Sequence, residues 1–198
     1  MKYTIFFDLG NVLIFFSHQK MCEQVAQYCD LDLETVKMMM QKYGDSYERG
    51  HINSQIVYDE FCRLSQKKLH FDLLMHAIAD IFAPNDPVIS IALELKKKGH
   101  RLFLLSNTCD AHFAFASSQF PFLKQFDGFI LSYEVNARKP DRKIYEKALE
   151  MTGCQKKECF YTDDILDYVE AARSFEMDAE LYKNPEDLRQ HLHARKIL

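Results

Sequence analysis

Acidic side chains at two places in the chain could together form a catalytic centre. Asp8 ends an apolar, strand-like run near the start of the chain. Asp163 and Asp164 follow a second such run, residues 159–161. Carboxylates that meet in one cleft repel one another unless a cation lies between them, and oxygen ligands with a phosphate substrate favour Mg²⁺. A carboxylate held by that cation can also attack phosphorus, giving an aspartyl-phosphate that water then cleaves.

Two further polar groups would suit a phosphate substrate. Ser106 and Asn107 follow the apolar run 101–105, and with a helix N-terminus behind them they could bind phosphate oxygens. Lys139, which precedes Pro140 and a helical pattern, could balance the charge of a transferring group. Each group also has a structural explanation, because Ser, Asn and Asp cap helices and a lone loop lysine is usually solvated. Convergence of the groups in space would favour chemistry.

The order of the predicted elements indicates that these groups converge. From residue 87 onward, helical and strand patterns alternate, which is typical of a parallel sheet. We expect strands over 101–105, 128–131, 159–161 and 180–182, helices over 87–98, 110–118, 141–152 and 165–175, and a last helix after Pro185. The carboxyl ends of parallel strands lie on one edge of a doubly wound sheet. The sequence therefore predicts an α/β fold, a Rossmann-like doubly wound parallel sheet with its site at that edge.

Residues 18–83 carry a different pattern, with apolar residues at helical spacing in successive stretches. Asn53 is a suitable N-cap for one of these helices. Gly44-Asp45 is expected to end the helix that begins at Leu33, and residues 84–87 are expected to stop the last one. No strand pattern is found between residues 18 and 83. This stretch is predicted to be a small all-helical insertion.

Composition and charge exclude several classes of protein. The chain has 198 residues, of which 47% are hydrophobic, and a net charge of −4 with no basic block, so a packed core is expected and nucleic-acid binding is not. No apolar run approaches the roughly 18 residues that span a bilayer, and Asp8 interrupts the one run that could imitate a signal peptide. Six cysteines without a CxxC pair indicate reduced thiols. We expect a soluble cytoplasmic protein that binds no membrane.

Four segments, FFDLGNVL, LLSNT, RKPD and YTDD, follow the order of the four motifs of the haloacid dehalogenase-like (HAD-like) hydrolases. The chain resembles this superfamily over essentially its whole length, and YERGHIN resembles a segment of the superfamily's cap. The closest resemblance is to the D-L-G-N-V branch, which includes sugar-1-phosphate phosphatases. With the right-handed crossover rule, the resemblance implies strand order 5-4-1-2-3 and Asp8 at the tip of the central strand. It also implies a core of residues 1–15 and 84–198 and a helical C1-type cap of residues 16–83.

The resemblance implies a role for each of seven residues of this chain. Asp8 is the nucleophile and a metal ligand, and Gly10 offers its backbone carbonyl to Mg²⁺. Ser106 and Asn107 hold the phosphoryl group, and Lys139 balances its charge. Asp164 is a direct metal ligand, and Asp163 holds a metal-bound water. The cap closes over the site and selects substrates.

The chain departs from the superfamily's pattern at two motifs. Many phosphatases of the superfamily carry a second Asp two residues after the nucleophile as a general acid, and here that residue is Gly10. Loss of a positioned acid typically costs roughly 10²–10⁴-fold in rate. A leaving oxygen that tolerates poor protonation, such as an anomeric hydroxyl, is therefore favoured. After Asp163-Asp164 the chain continues Ile-Leu-Asp-Tyr, where relatives often read D-D-R-x-E-N.

Three functions follow as alternatives. The leading hypothesis is a Mg²⁺-dependent phosphatase that acts on a small phosphorylated metabolite through an aspartyl-phosphate, as a monomer or homodimer. The second is a catalytically weakened HAD-fold binding or regulatory protein, to which Gly10 and the altered fourth motif point. The third is a 2-haloacid dehalogenase, which shares Asp8 and Lys139 but needs no metal. The pair Asp163-Asp164 argues against the dehalogenase, because that chemistry gains nothing from a cation site.

Overall fold

The computed structural model describes residues 2–198, and residue 1, the first of the predicted core segment 1–15, lies outside the described residues. The strands are β1 (Thr4–Phe7), β2 (Ile14–Phe16), β3 (Phe82–Pro84), β4 (Arg101–Ser106), β5 (Gly128–Leu131), β6 (Cys159–Asp163) and β7 (Ala179–Leu181). The helices are α1 (His18–Cys29), α2 (Leu33–Glu48), α3 (Ser54–Leu64), α4 (Phe71–Ala79), α5 (Asp86–Lys97), α6 (Asp110–Gln119), α7 (Ser132–Val135), α8 (Arg142–Thr152), α9 (Leu166–Ser174) and α10 (Pro185–Ala194). Short 3-10 turns cover Pro121–Gln125 and Lys156–Glu158.

Five parallel strands form the central sheet, in the spatial order β5-β4-β1-β6-β7. Counted along the chain as the five core strands and taken from the β7 edge, this order is 5-4-1-2-3, so the predicted topology is confirmed. Strand β1 lies at the centre and all four of its residues are buried. Its apolar run is continuous because helices cover both faces of a parallel sheet.

Alternate residues of β1 point into separate cores on the two faces of the sheet. Ile5 and Phe7 pack with residues of α5 and α10, whereas Phe6 packs with residues of α8 and α9. Because successive side chains of a strand point to opposite faces, one short run anchors both layers. The buried packing fixes the position of the residue that follows it, Asp8.

Helices α1–α4 stand between β1 and β4 in the sequence and share a third core, which includes Val25, Phe61 and Ile78. Asn53 is the N-cap of α3 as predicted, since its side chain accepts a hydrogen bond from the backbone N–H of Ile56 at 3.2 Å. Within residues 2–198, no helix combines the length and the apolar character needed to cross a membrane.

The predicted end of the second helix at Gly44-Asp45 is wrong, because α2 continues to Glu48. A glycine in a helix interior costs only about 1 kcal/mol relative to alanine. Tyr47, one turn after the predicted end, is buried in the core of the inserted helices. Tertiary packing of that turn therefore outweighs the local preference of Gly44.

The expectation that residues 18–83 contain no strand is also wrong at its C-terminal end. Strand β3 pairs antiparallel with β2, with Phe15 opposite Ala83 and Phe16 opposite Phe82. The chain entering the helical insertion thus pairs with the chain leaving it, and this contact lies too far apart in sequence to give a local signal. The division into a core of 1–15 and 84–198 and a cap of 16–83 stays a prediction, and the ribbon of β2 and β3 lies at its boundary.

Candidate active site

Asp8 lies directly beyond the tip of β1, where its backbone N–H extends the ladder to β6 by donating to the carbonyl of Thr162 at 3.0 Å. Its side chain is buried but borders a cleft. The ammonium of Lys139 donates to Asp8 Oδ1 at 2.7 Å and to Asp163 Oδ2 at 2.5 Å. Lys139 is only 1% exposed, so this cation is held in the protein interior by two carboxylates.

Three carboxylates converge at this point, as the strand order predicts. One oxygen from each of Asp8, Asp163 and Asp164 lies within 4.8 Å of the others. Burial raises the pKa of Asp8 to about 7, although Lys139 lowers it, and the charge of Asp163 raises it further. Burial also raises the pKa of Asp164. Three carboxylates thus share a single ammonium, and the raised pKa values of Asp8 and Asp164 mean that ionising all three is unfavourable unless a further cation is bound.

The two acids that follow β6 differ in environment. Asp163 is fully buried and accepts hydrogen bonds from the Tyr161 hydroxyl, from Lys139 and from the backbone N–H of Ile165, the last at 2.9 Å. Asp164 instead lines the cleft and accepts a hydrogen bond from Asn11 Nδ2 at 3.2 Å. Asp163 is therefore committed to holding Lys139, and Asp164 faces the space in which a ligand would lie.

Asn107 braces the loop that carries Lys139. Its Nδ2 donates to the Lys139 carbonyl at 3.0 Å and to the Tyr168 hydroxyl at 3.3 Å, and its Oδ1 accepts from the Lys139 N–H at 2.7 Å. Both donors and the acceptor of its amide are thus engaged. The role of Asn107 in holding phosphate stays a prediction. In the structure its side chain fixes the backbone of Lys139, the lysine that would face the phosphate.

Six of the seven predicted site residues border one cleft of about 210 Å³: Asp8, Gly10, Ser106, Asn107, Lys139 and Asp164. Asp163 lies beside it, in the interior. The opposite wall comes partly from the insertion, through His18 and Glu48. The site therefore lies between the carboxyl edge of the sheet and the inserted helices.

Gly10 has a direct steric explanation. A Cβ atom at this position would lie 2.7 Å from Cε1 of Phe16, closer than real Cβ contacts. The ring of Phe16 thus fills the space in which relatives with a second Asp would place its side chain. Phe16 also packs against His18 in a tilted arrangement, with ring centroids 4.9 Å apart. The absence of an acid at position 10 is matched by the packing around it.

Ion pairs join the insertion to the loop of Lys139, and the sequence did not predict them. Arg138 binds Asp45 at 2.8 Å and Glu48 at 3.0 Å, and Arg49 binds Asp141 at 2.5 Å. Burial raises the pKa of Glu48, against the lowering effect of Arg138. The segments YERG and RKPD each lie in a motif, but a pairing across about 90 residues leaves no local pattern in either segment. The hydrogen bond of Asn11 to Asp164 joins residues even further apart in the sequence, and no local pattern predicts it.

The residues of this cleft fit a divalent cation. The converging donors are all oxygen atoms, which suit a hard ion such as Mg²⁺, and their excess negative charge would be balanced by it. Asp8 and Asp164 border the cleft directly, as does Gly10. The fold and this cluster define the class: an α/β enzyme with carboxylates and a buried lysine at the carboxyl edge of a parallel sheet, beneath inserted helices.

A family model described as haloacid dehalogenase-like hydrolase matches residues 3–176. The chain therefore belongs to the haloacid dehalogenase-like hydrolases. Phosphatase MT3486 of Mycobacterium tuberculosis (strain CDC 1551 / Oshkosh) is 27% identical over 187 residues, covering 90% of this chain and 86% of that protein.

Two solved structures have similar folds. HAD family enzyme BT-2542 of Bacteroides thetaiotaomicron, in complex with magnesium and inorganic phosphate, has a TM-score of 0.82 at 23% identity, covering 92% of this chain and 95% of that one. L-2-haloacid dehalogenase of Xanthobacter autotrophicus has a TM-score of 0.64 at 16% identity, covering 100% of this chain and 85% of that one.

Proposed function

We propose that this hydrolase is a Mg²⁺-dependent phosphatase that acts on a small phosphorylated metabolite through an aspartyl-phosphate on Asp8. The observation that carries the proposal is the convergence of Asp8, Asp164 and the buried Lys139 in one cleft. Lys139 Nζ lies 2.7 Å from Asp8 Oδ1, so a phosphoryl group bound to Asp8 would lie beside a fixed positive charge. Six free cysteine thiols accord with a cytoplasmic enzyme.

The reaction needs two displacements at phosphorus. In the first, a carboxylate oxygen of Asp8 forms a bond to phosphorus while the bond to the alcohol oxygen breaks, and that oxygen takes a proton from water. In the second, a water molecule attacks the same phosphorus, loses a proton to solvent and displaces the carboxylate of Asp8. Phosphate and the alcohol leave, and Asp8 is regenerated.

The other residues hold and orient the phosphoryl group. Lys139 stays charged, because Asp163 and Asp8 together raise its pKa more than burial lowers it. Asn107 fixes its backbone, and Ser106 lines the cleft beside it. Preorganised charges of this kind stabilise a transition state without reorganisation.

Asp8, Asp164 and the Gly10 carbonyl would hold Mg²⁺, and Asp163, whose oxygens are engaged by Lys139, Tyr161 and the Ile165 N–H, would act on the site through Lys139. When bound, this ion supplies a Lewis acid for the phosphoryl oxygens and balances the clustered carboxylates. The relatives support this assignment, since one is described as a phosphatase and a structural relative was solved with magnesium and inorganic phosphate.

The weakened binding or regulatory protein stays a second candidate, because the ring of Phe16 lies where an acid would be placed. The dehalogenase is disfavoured, although the Xanthobacter enzyme has a similar fold. A second aspartate that lines the cleft, Asp164, has no use in a reaction that needs no cation.

Hydrolysis of p-nitrophenyl phosphate, acetyl phosphate and a panel of phosphorylated metabolites, with Mg²⁺ or with EDTA, tests the proposal. We expect turnover only with Mg²⁺, and none for Asp8→Asn, whose amide cannot form the acyl-phosphate. A cooperative unfolding transition and an unchanged far-UV circular dichroism spectrum of the variant are the controls for its fold.

Beryllofluoride distinguishes the two candidates further, because it mimics a phosphoryl group. It should attach to Asp8 of the wild type and not to Asp8→Asn, as measured by ¹⁹F NMR. If the wild type neither binds beryllofluoride nor hydrolyses any phosphate ester, the phosphatase proposal is wrong and the regulatory protein becomes the leading candidate.

A further inference from the structure

Departure of an alcohol from phosphorus leaves a negative charge on the alcohol oxygen, and a positioned acid that protonates this oxygen typically contributes roughly 10²–10⁴-fold in rate. Position 10 supplies no such acid, because Gly10 has no side chain and the ring of Phe16 lies beside it. Outside the carboxylate cluster and Lys139, five titratable side chains line the cleft: His18, Glu48, His112, Arg138 and Tyr168. The donor must face the leaving oxygen with a proton that it can release.

The direction of attack defines the side of the cleft on which the leaving oxygen lies. In phosphoryl transfer the attacking and leaving oxygens are roughly in line through phosphorus. Asp8 attacks from the tip of β1, so the leaving oxygen lies beyond phosphorus, towards the wall that His18 and Glu48 form. Tyr168 belongs to the other side, because Lys139 Nζ lies 5.2 Å from the centre of its ring and its hydroxyl accepts from Asn107.

Three of the remaining four groups are held in states that do not suit an acid. Glu48 and Arg138 form an ion pair 3.0 Å long, in which the guanidinium favours the ionised carboxylate and does not itself release a proton. Burial lowers the pKa of His112 to about 4, so its imidazole is neutral at pH 7. The Nε2 atom of His112 also lies 3.3 Å from the carbonyl oxygen of Ile78.

His18 lies beside the space that position 10 leaves without an acid. It is the first residue of α1 and is exposed, and its imidazole packs against the Phe16 ring with centroids 4.9 Å apart. The same Phe16 ring is the group that a Cβ on Gly10 would meet. Within residues 2–198 no hydrogen bond engages the His18 side chain, so both of its ring nitrogens are able to meet a ligand.

The titratable and charged groups that face His18 come from three elements. Glu48 on α2 lies near enough for a charged imidazole at His18 to lower its pKa, and His112 on α6 is neutral at pH 7. The charge of Arg138, before α8, is balanced by Asp45 and Glu48. No unbalanced positive charge among these groups opposes a proton on His18. Imidazole ordinarily titrates near neutral pH, where a general acid is most effective.

We infer that His18 is the general acid of the reaction, and that it opens the site to phosphate esters of ordinary alcohols. The inference rests on the proposed phosphatase function and adds a residue to it. In the first displacement, the imidazolium of His18 gives its proton to the alcohol oxygen as the bond to phosphorus breaks, and it becomes neutral. In the second, the neutral imidazole takes a proton from the attacking water, which restores the imidazolium. His18 thus takes the place of water and solvent as donor and acceptor of the proton.

Esters that differ in their leaving group, assayed with Mg²⁺, test the inference. An acid matters most where the leaving oxygen is strongly basic, so His18→Gln should lower kcat/KM for methyl phosphate and glycerol 1-phosphate by about 100-fold. p-Nitrophenyl phosphate and acetyl phosphate release stable anions, and their kcat/KM should change little. For methyl phosphate, the ratio of the wild-type value to that of the variant should fall as the pH rises above 7, because a neutral imidazole has no proton to give.

His51→Gln is the matched control, because His51 is exposed and does not border the cleft. It should hydrolyse every ester at the rate of the wild type. His18→Ala is a second variant, whose activity on methyl phosphate should be restored in part by imidazole added to the buffer. A residue that acts only on the fold would show no such rescue. Far-UV circular dichroism checks the fold of each variant.

The outcomes distinguish this inference from the phosphatase proposal. Equal effects of His18→Gln on all esters, or no effect on any of them, overturn the general acid and leave the phosphatase. A loss confined to poor leaving groups that appears in Glu48→Gln and not in His18→Gln also overturns it, and assigns the role to Glu48. If the wild type hydrolyses none of the esters, the phosphatase proposal is wrong and the general acid is overturned with it.

Discussion

At the scale of single residues, the ring of Phe16 limits the size of the side chain that position 10 can accommodate. Because a Cβ on Gly10 would lie 2.7 Å from the Phe16 ring, Gly10→Asp must displace an aromatic side chain. We expect the variant to lose about 1–3 kcal/mol of unfolding free energy, the usual cost of overpacking, and to gain no rate on esters with poor leaving groups. Urea unfolding and kcat measure the two effects.

Phe16→Ala in the same molecule is the control for Gly10→Asp, since it opens the space that the new carboxyl needs. The double variant should recover part of the stability lost by the single one. If Gly10→Asp alone is as stable as the wild type, the steric explanation of the glycine is wrong.

Asp164 carries the prediction for the metal. It lines the cleft, whereas Asp163 is committed to Lys139 and Tyr161, so Asp164→Asn should weaken Mg²⁺ binding by at least tenfold in calorimetry. Asp167→Asn removes a carboxylate of the same kind from an exposed position of α9 and should have little effect. Equal Mg²⁺ affinity in the wild type and in Asp164→Asn would refute the assignment of this ligand.

At the scale of elements, the end of α2 is fastened to the loop before α8. Asn136 Nδ2 donates to the Arg49 carbonyl at 3.0 Å, and Arg49 itself binds Asp141. Gly50, with φ +68°, lies so close to the Tyr133 carbonyl that a Cβ would overlap with it. This contact holds the insertion against the segment that carries Lys139.

Gly50→Ala should therefore destabilise the protein by about 3 kcal/mol or more, through both the left-handed backbone and the overlap. Gly153→Ala is a matched control, because Gly153 has a similar φ of +63° but nothing within 4 Å of its Cβ position. It should cost only about 1–2 kcal/mol, the price of the backbone conformation. Thermal and urea unfolding would give both values, and equal losses would show that the contact with Tyr133 is unimportant.

The sequence predicts the elements whose signals are local. Strand β1, with its buried run, and α3, with its cap Asn53, are found where the patterns place them. The order of the strands is implied by the resemblance to the superfamily together with the right-handed crossover rule. The convergence of Asp8 with Asp164 follows in turn from that order. The ribbon of β2 and β3, the contacts of Arg138 and the packing of Phe16 on Gly10 depend on segments distant in the sequence, and no pattern within either segment encodes them.

At the scale of the whole molecule, stability should depend on pH through His112. Burial, with a contribution from His18, lowers the pKa of His112 to about 4, from an ordinary value of 6.5. Between pH 4 and pH 6.5 the unfolded chain binds a proton that the folded chain does not. Through His112, the free energy of unfolding is therefore highest above pH 6.5 and falls as the pH falls towards 4.

The raised pKa of Asp8 acts in the opposite direction, so the comparison must be made against His112→Gln. With EDTA present, the unfolding free energy of the wild type should fall more steeply than that of His112→Gln from pH 7 to pH 4. Parallel pH profiles would show that His112 titrates normally in the folded protein.

The ribbon of β2 and β3 has a consequence for how this molecule can vary. Because Phe16 pairs with Phe82, the helices between them form a closed loop whose two ends are held side by side by the ribbon itself. The entropic cost of closing a loop grows only slowly with its length, by about 0.6 kcal/mol for each doubling. Loop closure therefore sets only a weak limit on the length of the inserted segment. A longer or shorter insertion must instead preserve the contacts by which the end of α2 is held against the loop before α8.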